Sequence, residues 1–136
     1  MLVDINRFRA AHGLARLRWS PQLTSAARAH SQQMAQDGYF AHASVDGSAF
    51  WRRLQSFYRV SPARVWAVGE NLAWSSPALD GAGALELWVA SPPHRRILMD
   101  PRWREIGVSA VHEANAPGVY HGLDVTIVTA DFGVRG

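Results

Sequence analysis

The hydrophobic period of the chain changes from helical to twofold at Trp66, returns to helical between residues 80 and 98, and ends twofold from Ile106 onward. Helices first, a short strand between helices and an antiparallel hairpin last predict an α+β domain in which helices cover a small sheet.

The helical stretches carry their own punctuation. Asp4 is placed to cap a short helix through about His12, with Gly13 as its stop. Ser20-Pro21 reads as N-cap and first position of a second helix whose inner face holds Leu23, Ala26, Ala27, His30 and Met34 and which ends at Gly38. A loop with His42 and the Asp46-Gly47 turn leads to a short helix containing Phe50, Trp51 and Leu54. Asp80 caps a helix through about Ala90 with Ala84, Leu85 and Trp88 as its apolar stripe. Ser91-Pro92-Pro93 breaks that helix and starts another, with Ser91 as cap and His94 in the first turn. In the last third, Ile106, Val108, Ala110 and His112 alternate before an Asn115-to-Gly118 turn. Leu123, Val125, Ile127, Thr129 and Asp131 alternate on the return strand.

Composition narrows the class. The 136 residues fit one domain, and 48% hydrophobic content with six tryptophans is that of a folded protein. No apolar run approaches a membrane span. Without cysteine there is no disulfide, thiolate metal site or cysteine nucleophile, so histidine and carboxylate must carry any chemistry. The basic residues are all arginine, in pairs such as Arg16 and Arg18, Arg52 and Arg53, and Arg95 and Arg96, which read as a solvated surface and not as a nucleic-acid face. The chain starts almost directly with a helical pattern and shows no signal sequence, which predicts either a cytosolic protein or the mature part of an exported precursor.

Glu70 is the most informative residue. Trp66, Val68, Glu70, Leu72 and Trp74 share one strand face, so a carboxylate stands in an apolar row, where its charge is costly unless paired, hydrogen-bonded or metal-bound. It is either a structural anchor for backbone or indole donors or part of a functional site. His94, at a helix start that disfavours protonation, is a candidate ligand, and His42 lies on a loop that can approach another element. His30 reads as a hydrogen-bonded core histidine, and His112 and His121 as hairpin-end groups. No His-Glu-x-x-His, Gly-x-Ser-x-Gly or phosphate-binding glycine loop occurs.

Taken together, Phe40-Ala41-His42-Ala43-Ser44, Gly69-Glu70-Asn71-Leu72-Ala73, Trp88 through Leu98, Glu105-Ile106-Gly107-Val108 and Asp131-Phe132-Gly133 resemble the bacterial branch of the CAP superfamily. That superfamily is named for cysteine-rich secretory proteins, antigen 5 and pathogenesis-related proteins. The resemblance runs from about residue 3 to 133. It implies an α-β-α sandwich with a central antiparallel sheet, and a cleft of two histidines and acidic residues that in some members holds zinc or another divalent ion. By position the histidines are His42 and His94, the metal-ligand candidates, and the first acid is Glu70. The second glutamate of the eukaryotic pattern falls on Ser91, a departure, and Glu86 lies on the far side of its helix from Trp88 and cannot replace it.

The resemblance further implies a secreted or envelope-associated module, monomeric and at most peripheral at a membrane, that binds a lipid or cell-envelope ligand in this cleft. The alternative is a hydrolase, peptidase or esterase, in which Glu70 or a weakly bound metal activates water. Ser91 as a nucleophile with His94 as its base is the least supported variant, since Ser91 is accounted for as a cap.

Overall fold

The computed structural model describes residues 1–59 and 64–136, and it is a three-layer α-β-α arrangement. In chain order the elements are α1 (Leu2–Ala11), β1 (Arg18–Trp19), α2 (Pro21–Asp37), α3 (Phe50–Phe57), β2 (Trp66–Ser75), α4 (Gly81–Ala90), α5 (Pro92–Leu98), β3 (Glu105–Glu113) and β4 (Val125–Arg135). The strands form one sheet in the order β1-β3-β4-β2. β4 is antiparallel to both β2 and β3.

The sheet is mixed and not purely antiparallel as expected. Arg18 and Trp19 add a two-residue strand parallel to Glu105 and Ile106. Two residues are too short to produce a readable alternation, so this strand has no sequence signature. The Asn115-to-Gly118 segment is also no tight hairpin turn. The connection holds a single 3-10 turn, Gly118–Tyr120, and β4 starts at Val125, leaving Leu123 exposed outside it.

The helix punctuation holds where the side chain reaches the backbone. Ser20 accepts from the Leu23 N–H, Asp80 accepts from the Gly83 N–H, and Gly38 ends α2 in the left-handed conformation. At α1 the first turn begins earlier, with Met1 at the cap position and Asp4 already inside the helix.

Strand alternation sorts the core into two layers. One face of the sheet, with Ala73, Ile106, Val128, Ala130 and Phe132, packs against Ile5 of α1, Ala84 and Trp88 of α4, and Leu98 of α5. The other face receives α2 and α3. Met34 and Ala35 pack over Leu72, Val125 and Ile127, while Leu23, Ala26, Leu54 and Tyr58 form a cluster against Trp66 and Val68. Glu70 and Asp131 are register partners on β2 and β4 and share this second face. β3 contributes Gly107 next to Asp131. A Cβ at Gly107 would lie 2.0 Å from the Thr24 nitrogen, so α2 rides directly on the strand and seals Asp131 from water.

Candidate functional site

β2 is an edge strand, and its edge opens into a cleft between the His42 loop and α5. The cleft has a volume of about 460 Å³ and is walled by Phe50, Val68, Ile97 and Trp103, with His42 and Glu70 at its polar side. The Trp103 indole N–H donates to the Ile97 carbonyl at 2.9 Å, which fixes that wall to α5.

Glu70 is buried and fully engaged. His42 donates from Nδ1 to Oε1 at 3.0 Å, and Arg53 donates from Nη2 to Oε2 at 2.5 Å. The reading of Glu70 as an acceptor for backbone or indole donors is replaced by this charged set. Burial pushes its carboxyl up, but the His42 and Asp131 hydrogen bonds and the Arg53 charge outweigh it and hold the pKa below the ordinary value.

Asp131 is fully buried, and neither oxygen meets a donor among the described residues. Two ionised carboxylates only accept, so a bond between them needs a proton on one. Burial, then the Glu70 charge and the hydrogen bond to it, raise Asp131 well above the usual range. The raised pKa favours the protonated form of Asp131 beside ionised Glu70, and the two titrate as a pair.

Arg53 ties the cluster to the loop. Its Nη1 donates to the His42 carbonyl at 3.1 Å and to Ser44 Oγ at 3.2 Å. His30, entirely buried on α2, donates from Nε2 to the Ala41 carbonyl at 2.7 Å and lies 3.9 Å from Glu70 Oε1. Burial lowers its pKa to about 4, which leaves it neutral. The loop bearing His42 is thus held from three elements.

His94 sits in the first turn of α5. Ser91 occupies the N-cap position as expected, but its hydroxyl makes no cap bond. Its Oγ is hydrogen-bonded to His94 Nδ1 at 2.8 Å. Asn71, next to Glu70 on β2, donates to the His94 carbonyl at 3.0 Å and docks α5 on the strand edge. Burial and then the His42 charge lower the His94 pKa, so the two imidazoles sense one another.

His42 and Glu70 thus line the cleft, while Ser91 and His94, bonded to each other at the start of α5, are not part of its lining. Glu86 is exposed on α4, His112 is exposed near the end of β3 and His121 follows the 3-10 turn, and none of the three lines the cleft. Two site residues escaped the sequence reading. Arg53 was grouped with Arg52 as surface charge, yet its side chain is only 8% exposed. Its spacing from Phe50 and Leu54 puts it on the inner face of α3. Asp131 stands in an apolar row on β4, the same signal that marked Glu70.

The family model described as the cysteine-rich secretory protein family, CAP, matches residues 2–132. An uncharacterised membrane protein of Bacillus subtilis, YlbC, is 32% identical over 103 residues, covering 76% of this chain and 28% of its own length. Among solved structures, an extracellular protein containing an SCP domain from Bacillus anthracis is 30% identical with a TM-score of 0.71, covering 94% of this chain and 37% of that one. An outer surface protein of Borrelia burgdorferi shares the fold at a TM-score of 0.77 and 18% identity, over 99% of this chain and 90% of that one. The chain thus spans about a third of the length of the first two. No described helix is long and apolar enough to cross a membrane. With the family model matched over nearly all its length and a bacterial SCP domain superposing on its layers, this cysteine-free chain belongs to the cysteine-rich secretory protein, or CAP, family in its bacterial form.

Proposed function

We propose that this CAP domain is an extracellular-type binding module that takes a small, partly apolar envelope ligand, such as a lipid, in the cleft between the His42 loop and α5. The observation that carries this reading is the engagement of Glu70. With one oxygen on His42 and the other on Arg53, buried Glu70 is committed to holding the loop, which disfavours it as the base that activates water. A cleft of apolar walls with a few fixed polar groups is what small-molecule sites present. The extracellular character of the Bacillus anthracis relative supports an outside location, and the membrane-protein description of YlbC supports an envelope one.

The test uses a short-chain phosphatidylcholine below its micelle concentration, followed by amide chemical shifts and by release of free fatty acid. Saturable shifts confined to the cleft, weakened in His42→Ala without ester cleavage, are the expected result. Cleavage that disappears in Glu70→Gln would instead establish the hydrolase reading.

A divalent ion, zinc above all, is the second reading, and the anchoring of both imidazoles favours it. His42 and His94 each spend Nδ1 on a fixed partner, Glu70 and Ser91, which is how metal-ligating histidines are oriented. Their Nε2 atoms would hold the ion, which would supply Lewis-acid polarisation of a bound oxygen. The described residues offer no group of three or more His, Cys, Asp or Glu arranged to hold a metal, so water would complete the coordination. A zinc titration by calorimetry should give weak heat in the wild type and none in the His42→Ala/His94→Ala double variant.

A further inference from the structure

A second cavity of about 630 Å³ adjoins the cleft and shares Arg96 and Arg102 with it as a common wall. Its other lining is Arg95, Asp100, Pro92, Met99 and Pro101. Segment 95–104 carries four arginines against one aspartate, three net positive charges. The whole chain has a formal charge of +3, so the remainder balances, ten arginines against ten acids. The cavity lining carries Arg95, Arg96 and Arg102 against Asp100, two net positive charges of the chain's three, so these arginines are not an even solvated coat.

The charges there are not equivalent. Arg102 is spent on Asp100, with Nη2 at 2.7 Å from Oδ2, and Arg104 on the Pro101, Arg102 and Trp103 carbonyls. Arg95 and Arg96 pair with no carboxylate among the described residues, Arg95 lying 5.9 Å over the Phe8 ring. Their place in the last turn of α5 suits the helix dipole, but that accounts for neither the concave wall nor its apolar floor. The wall is stiff, because buried Arg9 donates to the Leu98 and Asp100 carbonyls from beneath it.

We infer that this cavity is an oxyanion subsite, in which Arg95 and Arg96 hold the phosphate of an organic phosphate or phosphodiester while its carbon portion lies over Pro92, Met99 and Pro101 toward the histidine cleft. Two guanidinium forks without a carboxylate partner among the described residues suit a tetrahedral oxyanion with several acceptors. The inference rests on the cleft being a ligand site only for where the rest of the molecule goes. The phosphate itself depends on the arginines alone. The cavity suits a headgroup and shows no exposed aromatic platform for stacking bases, which disfavours nucleic acid.

The full chain is titrated with glycerol 3-phosphate by calorimetry and with phosphatidylglycerol against phosphatidylcholine vesicles by sedimentation. Wild type is compared with Arg95→Gln/Arg96→Gln and with Arg16→Gln/Arg18→Gln as a charge-matched control. Binding of either anionic probe should weaken about tenfold or more in the Arg95/Arg96 variant, and persist in the control. Binding of glycerol 3-phosphate marks a soluble or polymeric phosphate, and binding of the vesicles alone marks a lipid headgroup. Because both arginines are exposed, the variant keeps the wild-type melting temperature. Absence of binding by both probes, an equal loss in the control, or a single-stranded oligonucleotide bound more tightly than either probe would overturn the inference. Loss of short-chain lipid binding with retained glycerol phosphate binding would sink the cleft reading and leave this one standing.

Discussion

His30 has no solvent exposure, one ring nitrogen on the Ala41 carbonyl and the other without a partner among the described residues. Its folded pKa of about 4 lies below the ordinary 6.5, so between these values the unfolded chain takes up a proton that the folded one refuses. Its contribution is complete above pH 6.5 and is lost as pH falls toward 4, on the order of 3 kcal/mol in all. Urea unfolding at intervals from pH 7 to 4.5 should show this decline, and His30→Gln should flatten it. Glu70, also depressed, adds its own loss only at lower pH, as its carboxylate is protonated. Asp131 has the opposite sign. Its raised pKa gives stability that is present below the unfolded value and is lost as pH rises. Asp131→Asn keeps a donor for Glu70 and escapes that loss, so the variant should match or exceed wild type at pH 7. Its advantage should grow by about 1.4 kcal/mol per pH unit above the unfolded value until the wild-type acid ionises, as read by chemical denaturation at rising pH. Glu70 was legible as a carboxylate out of place. The partner that titrates with it, 61 residues away in sequence, is fixed by strand register.

At the scale of elements, the contact of α2 with β3 depends on Gly107. A side chain there meets the Leu23 and Thr24 backbone at 2.0 to 2.1 Å, and backbone cannot rotate aside as a flexible side chain does. Gly107→Ala must lift α2 from the sheet, uncovering Asp131 and straining the His30 anchor together. We expect a loss above about 3 kcal/mol, beyond ordinary overpacking, measured by thermal unfolding, with amide exchange rising along both α2 and β3. The helices themselves were readable, because Ser20, Gly38 and Asp80 act on their own backbone within a few residues. Ser91 shows where such reading stops. Its position as cap follows from the two prolines, but its hydroxyl turns to His94.

Across the whole molecule, Arg9 joins the two ends of one layer. From α1 its guanidinium donates to the Ala15 carbonyl at 3.0 Å, to Leu98 at 2.7 Å and to Asp100 at 3.1 Å, with no solvent exposure. It thereby supplies donors to carbonyls at and beyond the end of α5, the helix that carries His94 and the arginine wall. Arg9→Met fills the volume but orphans those carbonyls, at about 1–3 kcal/mol for each one left unpaired. Global stability should fall by about that amount or a small multiple, and His94 ring signals should broaden as α5 loosens. Wild-type sharpness of those signals would show that α5 is held by packing alone.

The α+β class, the helix boundaries and the carboxylate of Glu70 are determined by the sequence itself, because period and capping are local physics acting over one to four residues. The parallel strand β1, the raised pKa of buried Asp131 and the burial of Arg53 are decided only by the tertiary structure. Each depends on which distant groups lose water together, and that is set when the layers close.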